Sequence, residues 1–258
     1  MTHIITTQSY RRGTGKSTLV TNIATLLAMA GYRVGLADFN FQAPSDYIFF
    51  NLEEDDIKPT LNDYLWGECD DIIQTAHDLT PRLRLSTPLK GHLWLTTASP
   101  DPYEIIRIAQ GGHYRKVFSE AFNQMSETLQ LDYLIIDTQY GLNDDAIMAL
   151  AQSDTLLVTL LADQQGYEGT AIILDVSASL EVPHTHLILN QVPESFAHQD
   201  IQKQFADNYP VETVTILPFF KEVTLVASSG IFVLHHPNHP LTAAFKYIAN
   251  QISPSTNQ

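Results

Sequence analysis

The chain has 258 residues, 44% of them hydrophobic and 17% charged, and 14 Lys+Arg against 29 Asp+Glu leave a formal charge of −15. Such a chain can bury a sizeable core, which excludes disordered and fibrous classes, and its acidity disfavours general adhesion to nucleic acid or an anionic membrane. The single Cys69 excludes disulfide frameworks, thiolate-held Fe–S clusters and Cys-type zinc sites.

The opening MTHIITTQSY has no charged segment leading into a long apolar stretch, and no run of about 18 apolar residues follows anywhere, so cytoplasmic residence is expected. Short β-branched runs then alternate with helical stretches. That alternation predicts an α/β fold, a mostly parallel central sheet flanked by helices on both faces, as one domain over 1–258. Buried strands are predicted over 3–7, 32–38, 92–98, 133–137, 155–160, 186–190 and 211–217. Several end in a polar residue, at the carboxyl edge where such sheets bind ligands. Helical spacing covers 17–30, 144–152, 169–180, 199–208 and 242–251, and Gly31 stands where a helix stop belongs.

Residues 51–90 break this rhythm with acidic clusters at 53–56 and 68–71 and prolines at 59, 81 and 88. They read as a peripheral helical excursion, with the charges as solvated surface. The aromatics Phe39, Phe41, Tyr47, Phe49 and Phe50 have no Lys or Arg interleaved, so they read as packing and not as a platform for bases. His184 with His186, and His235, His236 and His239, are placed as structural histidines. In the last helix Leu241, Ala244, Phe245, Ile248 and Ile252 share a face opposite Lys246 alone. An interfacial membrane helix needs more cations than that, so the face is expected to pack on the domain.

The most specific motif is Gly13-Thr14-Gly15-Lys16-Ser17-Thr18, directly after an apolar strand and before the apolar-periodic helix. Glycines let successive N–H groups turn inward as an anion nest, the helix start adds its dipole, and Lys16 reaches the β/γ-phosphates. Ser17 offers a hydroxyl to Mg²⁺ and Thr18 can reach the α-phosphate. A phosphate loop needs a carboxylate near its metal, and Asp137 at the end of Leu134-Ile135-Ile136 supplies one.

With these residues in order the chain resembles the ParA/MinD group of deviant-Walker-A ATPases over nearly its whole length. Arg11-Arg12-Gly13-Thr14-Gly15-Lys16-Ser17 matches that group's loop, Asp38-Phe39-Asn40 with Pro44 its D-x-D strand end, and Asp137-Thr138-Gln139-Tyr140-Gly141 its third block. The resemblance implies ATP or ADP with Mg²⁺ held by Ser17, Asp38 and Asp137, and Asn190 and Pro218 at the adenine. It also implies a homodimer that encloses the nucleotides, and a switch that positions or partitions a cargo.

Three departures matter. Arg11 stands where the family's first Lys crosses to the partner's phosphates; it keeps the charge in a planar, bidentate form. Arg12 stands where the family has Gly, so its backbone is expected to avoid positive φ. Asn40 replaces the second Asp, which positions the attacking water, and lacks a basic carboxylate, so hydrolysis by Lys16, Arg11, Asp38 and Asn40 is expected to be slow. A non-hydrolysing, nucleotide-gated dimer that recruits a protein partner is the alternative. From Lys116 onward the chain has four Lys and no Arg, which disfavours DNA or membrane binding and points to a protein partner.

Overall fold

The computed structural model describes residues 1–83, 89–110, 115–193, 195–196, 198–209, 211, 213–226 and 228–252. The strands are β1 (His3–Gln8), β2 (Arg33–Phe39), β3 (His77–Asp78), β4 (His92–Thr97), β5 (Tyr133–Thr138), β6 (Thr155–Leu161), β7 (His184–Val192) and β8 (Thr213–Pro218). They form one sheet in the order β3-β4-β2-β5-β1-β6-β7-β8. Every pairing is parallel except that of β3, which runs antiparallel along β4 at the edge.

The first helices are α1 (Lys16–Ala30), α2 (Asp46–Phe49) and α3 (Leu61–Leu65), followed by α4 (Pro102–Gln110), α5 (Arg115–Thr128) and α6 (Asp144–Leu150). Then come α7 (Gln164–Ser179), α8 (His198–Asn208), α9 (Lys221–Val226), α10 (Phe232–His235) and α11 (Pro240–Ile252). All seven predicted strands are present, to within two residues at each end. The sequence pattern did not reveal α4, α5 or β3, nor the short helices α2, α9 and α10. Residues 51–90 hold only short turns of helix, Glu54–Ile57, Leu61–Leu65 and Ile72–Thr75, and the edge strand His77–Asp78. The expected helical excursion is instead largely a cover that closes the sheet beside β4; its residues 84–88 lie outside the described ones.

Because strand side chains alternate, the sheet divides its apolar residues between two faces. Ile5, Leu36, Ile135, Leu157 and Ile188 meet α1, α10 and α11 on one face. On the other face Ile136 and Leu134 meet Phe118 and Phe122 of α5, and Val158 and Leu189 join Ile173 of α7 and Phe205 of α8. Leu241, Phe245, Ile248 and Ile252 are buried against the first face, so α11 packs on the domain as its spacing predicted. Phe39, Phe41, Phe49 and Phe50 are likewise core.

Register does the positioning: Asp38 of β2 and Asp137 of β5 are direct neighbours, and Thr7 of β1 pairs with the same Asp137. The carboxyl ends of three adjacent strands therefore converge beside the start of α1. Asn22, fully buried, holds α1 to the α10 segment by accepting from the Val233 N–H at 2.8 Å, while its amide donates to Thr18 O at 2.7 Å. Asn22→Ala strands a buried N–H and is expected to cost about 1–3 kcal/mol, read from the urea midpoint; a loss below about 0.5 kcal/mol, the usual size of a neutral substitution, would contradict this.

Candidate functional site: the loop before the first helix

Gly13 and Gly15 adopt φ of +82° and +93°, the left-handed region that glycine enters without strain. A Cβ on Gly15 would also fall 2.2 Å from Asn190 Nδ2, so this position tolerates no side chain. Arg12 is absent from the left-handed region, as its identity required. The loop is tied down from below: Thr14 Oγ1 shares a 2.8 Å hydrogen bond with Thr159 Oγ1, Asn190 Nδ2 donates to Thr14 O at 2.8 Å, and Gln191 Nε2 donates to Gly13 O at 3.3 Å. α1 then starts at Lys16 with no side chain capping its first turn, so those N–H groups are available to an anion. Lys16 Nζ donates to Ser9 Oγ at 3.2 Å.

Beside the loop stand the carboxylates. Ser17 Oγ donates to Asp137 Oδ2 at 2.5 Å and Thr7 Oγ1 donates to Asp137 Oδ1 at 3.0 Å. Asp38 accepts three backbone N–H groups, from Asn40 at 3.1 Å, Ser45 at 2.6 Å and Asp46 at 2.9 Å, and so fixes the turn after β2. Even so, burial and the charge of Asp137 push the Asp38 carboxyl up to about 7. Burial also raises Asp137, against the opposing pull of Lys16, Ser17 and Thr7. Asp46, fully buried, is raised well above the usual range by burial, Asp38 and Asp137.

Among the described residues no group of three His, Cys, Asp or Glu side chains could hold a metal ion by itself. The donors fit Mg²⁺ nonetheless, since that ion keeps several waters and takes the rest of its oxygens from a carboxylate or two, a hydroxyl and the substrate's phosphates. Ser17 and Asp137 would hold it, with Asp38 beside Asp137 as the second carboxylate. When bound it would neutralise charge on the phosphates.

A cavity of about 650 Å³ opens over the loop, lined by residues 12–18, the 40–45 turn, Gln139 and Tyr140. A smaller one of about 140 Å³ continues past Gly15 and Thr18 to Asn190, Pro218, Phe219 and Val223. Asn190 and Pro218 therefore border an apolar slot next to the loop, although the Asn190 amide braces Thr14. The Asn40 amide closes its own turn, donating to Ala43 O at 2.7 Å and accepting from Ala43 N at 3.2 Å. Gln139 is buried and accepts from Asn143 Nδ2 at 2.9 Å, so it faces a helix cap. Arg11 is bound within its own chain, to Asp163 and, at 3.0 Å, to Gln165 Oε1.

Sequence reasoning missed Ser9, Asp46, Thr159, Asp163 and Gln191. Ser9 and Asp163 sit just past β1 and β6, at the sheet edge where ligands were expected, so position alone offered a signal. Asp46 and Gln191 carried none. His186 contacts Thr213 at 2.5 Å, which supports its structural role.

The model of the AAA domain family matches residues 2–182. Over 260 residues the chain is 25% identical to an iron-sulfur cluster carrier protein of Pseudomonas fragi, covering 96% of this chain and 84% of that one. It is 23% identical over 256 residues to the septum site-determining protein MinD of Neisseria meningitidis, covering 95% and 89%. Among solved structures, MinD of Pyrococcus horikoshii complexed with Mg-ADP superimposes with a TM-score of 0.79 at 18% identity, covering 100% and 98%.

The raised Asp38 carboxyl has a definite sign. Below about pH 4 both folded and unfolded chains hold its proton; between the ordinary 3.8 and about 7 only the folded chain does. Its contribution is present at low pH and is lost as pH rises through 7. Asp38→Asn should therefore flatten the decline in stability of the nucleotide-free protein between pH 5 and 8, measured by chemical denaturation. Parallel profiles for variant and wild type would refute the assignment.

Proposed function

The chain belongs to the AAA domain family and has the ParA/MinD-type P-loop ATPase fold, and from that premise we propose that it is a slow Mg·ATP-dependent switch. It binds ATP, pairs with a second copy around two nucleotides, engages a protein partner to position or partition a cargo, and reverts on hydrolysis. The observation that carries this reading is the coincidence of the glycine-cradled loop, the uncapped start of α1 and the Ser17–Asp137 pair. Together these are anion nest, helix dipole and metal-holding carboxylate.

The reaction demands little covalent chemistry from the protein, because phosphoryl transfer depends on positioning and charge. Lys16 holds the β/γ-phosphates, and the loop N–H groups orient them. Asn40 orients water only by hydrogen bonding, and its amide is already occupied by Ala43, which supports slow turnover. The Arg11 guanidinium is the cation for the partner's phosphates. In the single chain it rests on Asp163 and Gln165, so pairing exchanges those contacts for phosphate oxygens.

An iron-sulfur role, which the Pseudomonas fragi relative's name raises, finds no support in the ligands. Cys69 is the only cysteine, and burial, with Asp63, Asp70 and Asp71 nearby, pushes its thiol up, away from the thiolate a cluster needs.

Light scattering and phosphate release with Mg·ATP test this. Wild type is expected to dimerise and release phosphate slowly; Lys16→Ala should lose both, and Arg11→Ala should keep nucleotide binding but lose the dimer. Asn40→Asp should speed turnover by about 10²-fold, the low end for a positioned base. A monomer that persists with saturating Mg·ATP would sink the switch, and a dimer with no phosphate release would establish the non-hydrolysing alternative.

A further inference from the structure

Asp46 is fully buried at the start of α2, and neither of its carboxylate oxygens has a hydrogen-bond partner. A buried acceptor left bare costs about 1–3 kcal/mol, and a charged one more, so the position calls for an explanation. Its backbone N–H does serve a local purpose, donating to Asp38 Oδ2. The side chain does not.

What stands beside that side chain is another acceptor. Asp46 and Asp137 lie close enough to share a hydrogen bond if one of them carried a proton, and Asp38 adds its own charge nearby. The cation acting on Asp46 is Lys16, whose ammonium is bonded to Ser9. Were all three carboxyls ionised against the one ammonium, the cluster would be formally −2, and Asp137 already accepts the Ser17 hydroxyl. Oxygens that face one another in so buried a place are stable only with a proton held between them or around a positive charge, and a bound cation would take the place of that proton.

We propose that Asp46 is a third carboxylate of the divalent-cation site, beside Asp38 and Asp137, and a positioning residue that orders the hydrated ion. The inference rests on the Mg·ATP reading. Asn40 is half-exposed and turned into its own loop, whereas Asp46, six residues on, reaches the buried side of the same turn. Through Asp46 the loop accepts a triphosphate only together with its cation: without the ion the carboxylate repels the phosphates, and with it the two are bridged.

The test compares wild type with Asp46→Asn, which keeps the N–H to Asp38. ADP binding is measured by calorimetry in EDTA and in MnCl₂, Mn²⁺ affinity of the ADP-loaded protein by electron paramagnetic resonance, and melting without nucleotide. The variant is expected to bind Mn²⁺ about 10–100-fold more weakly, the usual loss for an outer-shell partner. It should bind ADP in EDTA at least as tightly as wild type, and melt several degrees higher. Asp46→Ser, smaller and uncharged, serves the same comparison if the amide does not fold.

Unchanged Mn²⁺ affinity, or a parallel loss of ADP binding with and without metal, would overturn the proposal and leave the nucleotide switch standing. A wild type that binds no nucleotide under either condition would instead overturn the switch itself, and the proposal with it.

Discussion

Three carboxylates, Asp38, Asp46 and Asp137, are buried in one another's fields at the carboxyl ends of adjacent strands. Parallel register makes this unavoidable, because pairing β2 with β5 residue for residue puts Asp38 against Asp137. The cost of that placement is met locally by hydrogen bonds, three N–H groups on Asp38 and two hydroxyls on Asp137. Asp46 receives none on its side chain. The fold therefore holds these carboxyls in mutual repulsion, which a cation bound among them would relieve. Such a site is less stable empty than full, which is the linkage a switch requires.

The distribution of charge over the chain follows the same logic. A chain at −15 would repel a nucleotide triphosphate at long range, yet three of its 14 cations, Arg11, Arg12 and Lys16, are spent on one loop. Backbone N–H groups do the rest without adding net charge. Positive charge is thus concentrated within residues 11–16 of an otherwise acidic chain, and screening limits its reach to about 8 Å at physiological ionic strength. That arrangement favours a small anion brought with its metal over an extended polyanion.

Periodicity and strand-end chemistry made the sheet, its order of elements and most of the loop legible in the sequence. Strands β1, β2, β5, β6 and β7 announced themselves because both of their faces are buried, leaving nearly continuous apolar runs. The helices α4 and α5 were passed over although both carry amphipathic spacing. The short β3 pairs through only two residues, His77 and Asp78, too few for any alternation to show. At the site, Lys16, Ser17 and Asp137 were legible because a motif fixes their spacing. Asp46, Gln191 and Asp163 were not, since their roles arise from tertiary approach: a turn that doubles back from β2, a left-handed residue ending β7, and the cap of α7.

Under the proposed pairing, the Arg11–Asp163 contact is a small energy that would gate a large change. The two side chains are 29% and 42% exposed, so water screens the pair, and such half-exposed pairs are worth little. Asp163 also has a second task, since its Oδ1 caps α7 by accepting from Gly166 N at 2.8 Å, so it stays in place when Arg11 leaves. Arg11 Nε, in contrast, is buried with no partner. Its resting state is thus imperfect on its own terms. A phosphate met bidentately in an interface closed to water satisfies the whole fork at once. In the proposed pairing, the difference between those two environments, rather than the strength of either alone, would let a γ-phosphate select the paired state.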